Sequence, residues 1–181
     1  MNISNAQAMK ARKMGKYTMY HDYKFRVDKS SAIESLKEYH KIKVYSQKFD
    51  NEISIGCQDG GGNFSLYLED RFFSLGIDNG TKIVSSFEGD FMSNFLKYES
   101  IKMPKNIVPT LLYLDTLEDL PQDCGGYIHF NDKSICYDKE QKILQLGDID
   151  KNSEIYKFID NGYAQLKADK LKGLIFTSIE L

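Results

Sequence analysis

From residue 52 to residue 87 the chain alternates apolar and polar side chains and breaks the alternation only at turn-forming residues. Ile53, Ile55 and Cys57 alternate. After Gly60-Gly61-Gly62, Phe64, Leu66 and Leu68 alternate again. FFSLGI and KIVSSF then flank Asp78-Asn79-Gly80. A period of two is the period of a strand with one buried face, because successive side chains leave a strand on opposite sides. Asn-Gly between two such runs marks a hairpin, since its residues tolerate positive φ. This stretch has to form sheet. IKVYSQKF, ahead of Asp50-Asn51, reads the same way.

The pattern recurs on both sides. Residues 16–27, KYTMYHDYKFRV, read as one long half-buried strand with Tyr17, Met19, His21, Tyr23, Phe25 and Val27 on one face. Leu112–Asp115 reads as a strand. Gly125 and Gly126 open a second meander of GYIHFN, SICYD and ILQLG, and LIFTSIEL closes the chain as a strand. Three segments read as helix. Ser31 with Glu34 three residues later fits a capping box. DFMSNFLKY over 90–98 has apolar residues at helical spacing behind Asp90. Ile155, Ile159, Tyr163 and Leu166 predict one long helix after Ser153, weak at Gly162 and ended by Gly173. The predicted fold class is therefore α+β: a mostly antiparallel sheet in two β-meanders, with about three helices, the longest near the C-terminus.

At 181 residues one domain is expected. We divide the chain into a basic N-terminal arm, 1–15, and a single α+β domain, 16–181. Charge is uneven. Residues 1–48 carry 11 Lys/Arg against 4 Asp/Glu, and residues 49–181 carry 13 against 22. That asymmetry points to a charged partner surface or to an internal docking of the two parts, beside the plainer reading of solvated faces of opposite sign. The three cysteines, Cys57, Cys124 and Cys136, form no CxxC pair, which fits buried thiols in a reducing compartment. The first residues, MNISNAQAMKARKMGK, lack the apolar core of a secretory signal, and no apolar run approaches the length of a membrane span. A cytoplasmic protein without membrane contact is expected.

The three consecutive glycines invite a phosphate-loop reading. Such a loop needs Lys-Ser/Thr and a helix behind its last glycine, so that amides and helix dipole face the anion. Here Gly62 is followed by Asn63-Phe64 and a strand, so we read a turn between two strands. Asp148, Asp150 and Asn152 match the first ligand positions of a calcium loop. Its glycine and its bidentate acid are missing, and a polar loop leading into a helix is preferred. His21, His40 and His129 share no metal-binding spacing with each other or with a cysteine. No metal, cofactor or catalytic residue is assigned.

Two functional classes remain in front. The first is a binding protein of the immunity or inhibitor type, which neutralises a cognate toxin, a nuclease for example, by direct contact. Its partner would carry a basic surface, and the acids placed in loops are the candidate contacts: Asp115, Glu118, Asp119, Asp123, Asp148 and Asp150. The alternative is an enzyme, a hydrolase or nuclease, whose histidines and acids converge only in the fold. A third reading, nucleic-acid binding through Lys10, Arg12, Lys13, Lys16 and the tyrosines that follow, ranks below both because the whole chain is mildly acidic.

Overall fold

The computed structural model describes residues 19–20, 23–29, 33–58, 62, 64–68, 72–115, 124–128 and 134–181. Its elements, in chain order, begin with β1 (Met19–Tyr20), β2 (Phe25–Asp28), helix α1 (Ile33–Tyr39), β3 (Val44–Phe49) and β4 (Glu52–Cys57). There follow β5 (Phe64–Leu68), β6 (Phe72–Ile77), β7 (Val84–Met92), β8 (Leu96–Tyr98), β9 (Ile107–Pro109) and β10 (Leu111–Leu114). The chain ends with β11 (Cys124–Ile128), β12 (Ile135–Asp138), β13 (Ile143–Gly147), β14 (Ile155–Ile159), β15 (Gly162–Lys167) and β16 (Lys170–Phe176).

The protein is mostly β, with one α-helix among the described residues. This overturns the expected α+β class with about three helices. The first sheet runs β1-β11-β5-β6-β7-β4-β3. Its five strands from β5 to β3 are antiparallel, and β11 and β1 extend it in parallel. The second sheet runs β8-β12-β13-β16-β15-β14-β9, and β2 with β10 forms a separate two-stranded ribbon. One apolar core joins all three. Ile55, Leu66, Leu75 and Phe87 come from the first sheet, Leu144, Leu146, Leu174 and Phe176 from the second, and Phe25 and Leu112 from the ribbon. The rings of Phe87 and Phe176 meet at 4.4 Å between centroids. The side of the second sheet away from this core carries a smaller cluster, in which Cys136, Ile143 and Ile175 pack with Ile101 and Ile149.

The helix expected from Ser153 onward is a three-stranded meander. β14, β15 and β16 pair in sequence, joined by two-residue turns at Asp160-Asn161 and Ala168-Asp169. Ala168 and Asp169 both take positive φ, 49° and 63°, as a tight hairpin with matching twist requires. The spacing of four misled because β15 and β16 lie inside their sheet and are buried on both faces, which erases the alternation. Gly162, read as a weak point in a helix, begins β15. A Cβ there would lie 2.4 Å from Ile159 Cγ1. The segment 90–98 completes β7, makes one 3-10 turn over Ser93–Phe95 and enters β8. Phe91 and Phe95 share no helix face: Phe91 is buried and Phe95 is 54% exposed.

A helix is present as α1 where one was expected to start near Ser31, while the cap residue Ser31 itself lies outside the described residues. His40, just past its end, brings Nε2 within 3.2 and 3.1 Å of the Thr110 and Lys157 carbonyl oxygens and so docks it on β14. The Asp50-Asn51 hairpin is present, with Phe49 opposite Glu52. So is the hairpin at Asp78, though Lys82, not Asn-Gly, takes the positive φ. Its loop is held by Asp78, whose carboxylate accepts from the Thr81 amide and hydroxyl, both at 2.7 Å. Two other expectations change. Residues 16–27 do not form one strand, because β1 joins the first sheet and β2 the ribbon. The glycines do not join neighbouring strands, because β7 and β6 separate β4 from β5. Gly62 instead lies against the backbone of Gly76 and Ile77, where a Cβ would come within 2.2 Å of the Ile77 nitrogen.

Candidate functional site

The outer face of the first sheet follows from the alternation along β7. Val84, Phe87, Gly89 and Phe91 are buried, while Glu88, Asp90 and Met92 are exposed. Register extends these positions into rows across the sheet. Tyr45, Gly56, Glu88, Ser74 and Tyr67 form one row, which continues through the register positions of Tyr127 and Tyr20. Gln47, Ser54 and Asp90 form the next, and Phe49, Glu52 and Met92 the third. Glycine and serine in the middle strands keep the floor low, and the large side chains stand at its margins. Phe49 is 60% exposed, Tyr45 and Met92 45%, and Tyr67 38%. From Tyr45 to Tyr67 the face spans about 19 Å, at about 4.8 Å per strand.

This face is acidic as well as aromatic. Ser74 Oγ donates to Glu88 Oε1 at 3.1 Å. Among the described residues no cation pairs with Glu52, Glu88 or Asp90. Lys43, whose Nζ lies 5.7 Å from the Tyr45 ring centroid, stands at one corner. The face thus sets three carboxylates, with no cation paired to them among the described residues, inside a margin of tyrosine, phenylalanine and methionine side chains.

Of the acids singled out from the sequence, Asp115, Asp148 and Asp150 lie elsewhere. Asp115 follows β10 and pairs with Arg26, Oδ1 to Nε 3.9 Å, while the Arg26 guanidinium stacks over the Tyr113 ring at 4.1 Å. Glu118, Asp119 and Asp123 lie outside the described residues. Asp148 is exposed after β13. Asp150 holds its own loop: its carboxylate accepts from the Asn152 amide at 2.9 Å and the Ser153 hydroxyl at 2.7 Å. Those two bonds, the amide first, hold its carboxyl below the usual range. The Gln165 side chain clamps the Asp150 backbone through both its amide and its carbonyl, each at 2.8 Å. The loop with calcium-like spacing is thus an Asx turn leading into a strand rather than a helix. No group of three metal-ligating side chains occurs among the described residues.

Other polar groups do structural work. Asp138, 5% exposed, accepts from the amides of Ile101, Glu140 and Gln141 and from Gln141 Nε2. The amides of Gln141 and Ile101 lead the effects that hold its carboxyl low. Cys57 and Cys136 are not in a disulfide, and burial pushes the Cys57 thiol up. His21 and His129 lie outside the described residues, as do the basic arm and the side chain of Cys124. Among the described residues no helix is long and apolar enough to cross a membrane.

No protein-family model matches the chain, and no curated protein matches it in sequence. The reading of its role rests on its own geometry. The face was within reach of the sequence: placing 84–92 in one alternating strand puts Glu88, Asp90 and Met92 on one side. Reading a helix from Asp90 divided that strand and hid them.

Proposed function

We propose that this is a binding protein of the immunity or inhibitor type, which neutralises a basic protein partner, such as a toxin domain, by covering it. The observation that carries the reading is the outer face of the first sheet, with Tyr45, Tyr67 and Met92 exposed around Glu52, Glu88 and Asp90. Three carboxylates with no cation among the described residues give a field that speeds encounter with a basic surface and disfavours an acidic one. The aromatic and thioether side chains supply the apolar contact that charge alone lacks. Contact through this face replaces the loop acids as the proposed mode of binding.

The test is capture on the tagged full chain from its native host, washed at low and then high salt. A stoichiometric basic protein that weakens with salt, and whose toxicity on expression is suppressed by this chain, supports the reading. A captured protein that is acidic, insensitive to salt, or no less toxic in the presence of this chain overturns it.

A further inference from the structure

We propose that the protein pairs with a second copy of itself along the open edge of β3, antiparallel about a two-fold axis at Gln47. Four strands border the two large sheets. Among the described residues β1 has two, and β8 and β9 have three each. β9 is further blunted by Pro109. The Ile155 amide donates to Asn106 and the Thr110 amide to Lys157, so the residues between alternate and position 109 faces outward, where proline offers no N–H. β3 has six residues, four of them exposed, with Lys48 as its one charge, and among the described residues no proline interrupts it.

The part of β3 open to pairing is bounded on both sides. At one end the Asn161 side chain takes both outward groups of Val44: Val44 N–H to Oδ1 at 2.8 Å, and Nδ2 to the Val44 carbonyl at 2.9 Å. Alternation then places the next outward groups at Ser46 and Lys48. At the other end Asp50, with φ 49°, turns the chain into the β3–β4 hairpin. The open window is residues 45–49, and its centre is Gln47.

Antiparallel pairing about that centre sets Ser46 opposite Lys48 of the second copy, and the reverse. Both positions point their N–H and C=O outward, so four backbone hydrogen bonds form. A shift of one residue would oppose outward groups to inward ones. A shift of two would run one strand into Asn161 or the turn. In the centred register Tyr45 lies opposite Phe49 of the second copy, twice, on the outer face and at the closer type of cross-strand pair. Both are exposed large apolar side chains, at 45% and 60%. On the inner face Lys48 of one copy comes beside Ser46 of the other, whose Oγ donates to the Glu180 carbonyl at 2.6 Å and accepts from its amide at 3.1 Å, while the Glu180 carboxylate pairs with Lys142. The result is a continuous sheet of fourteen strands, with both acidic faces on the same side. The seam is one strand wide, so association depends on concentration.

Sedimentation equilibrium of the purified full chain over a concentration series tests this without any other partner, and so independently of the inhibitor reading. Wild type should pass from monomer to dimer. Gln47→Lys sets two lysines directly opposite at the axis, and Lys48→Pro removes an outward N–H that β4 does not use. Each should raise the dissociation midpoint roughly tenfold or more, with circular dichroism and melting showing that the fold is kept. If one variant misfolds, the other carries the test. A wild type that stays monomeric at every concentration reached overturns the proposal, as does a dimer that the folded variants leave intact. A dimer lost on Glu88→Lys but kept in Gln47→Lys overturns it in favour of face-to-face packing.

Discussion

Asn161 is the residue whose loss should cost the most for its size. It is 3% exposed at the turn between β14 and β15. Its side chain accepts from the Val44 amide and donates to the carbonyls of Val44 and Thr177, at 2.8, 2.9 and 2.8 Å. Val44 is fully buried, so in Asn161→Ala its amide and carbonyl both lose their partner. A buried polar group left unsatisfied costs about 1–3 kcal/mol, giving roughly 2–6 kcal/mol for the two. Because β3 borders its sheet, water reaches part of the gap, and we expect about 3 kcal/mol. For a chain of this size that lowers Tm by about 6–12 °C. Urea melts with an unchanged m-value would measure it. Asn161→Asp separates the hydrogen bonds from mere volume, because it keeps the acceptor for Val44 N–H but aims a carboxylate at two carbonyls. Its folded pKa should be raised, so the variant should gain on wild type as pH falls toward about 4, where a carboxyl takes up its proton. A loss below about 1 kcal/mol in Asn161→Ala, or a pH-independent gap for Asn161→Asp, would refute the reasoning.

Further predictions test other parts of the fold. Gly162→Ala should destabilise by about 1–3 kcal/mol, because its methyl would lie 2.4 Å from Ile159 Cγ1 and the hairpin must shift to admit it; an unchanged melt would argue against so close an approach. Asp138 has its folded pKa depressed, so its contribution is present above the ordinary carboxylate range and is lost as pH falls through the lower folded value. Asp138→Asn should therefore be less stable than wild type near neutrality, with the gap closing in acid, as followed by urea melts between about pH 6 and pH 2; a gap that widens in acid would contradict this.

The sheet was legible where one strand face meets solvent. Ile53-Ile55-Cys57 and Phe64-Leu66-Leu68 alternate because β4 and β5 each have an open outer face. The meander from Ile155 to Phe176 was not legible. Strands buried on both sides lose their period, and Ala164, Leu166 and Lys167 favour helix until sheet packing overrides them. Asn161-Gly162 carried the same hairpin signal as Asn79-Gly80, but helical spacing on both sides outweighed it. The candidate face depended on one boundary, since a strand that runs through Asp90 to Met92 reveals it and a helix beginning at Asp90 conceals it. The role of Asn161 could not be read from sequence, because Val44 and Thr177 reach it only through strand order.

The outer face of the first sheet is proposed to bind a basic partner. Its most direct test is the affinity of the captured partner for two charge reversals, Glu88→Lys/Asp90→Lys and Asp148→Lys/Asp150→Lys, measured by calorimetry beside wild type. The account predicts that the first pair weakens binding by about 100-fold or more, as expected for charges desolvated at a contact, while the second changes it little. Binding that survives Glu88→Lys/Asp90→Lys and fails in Asp148→Lys/Asp150→Lys would move the contact to the β13–β14 loop and contradict the assignment of this face.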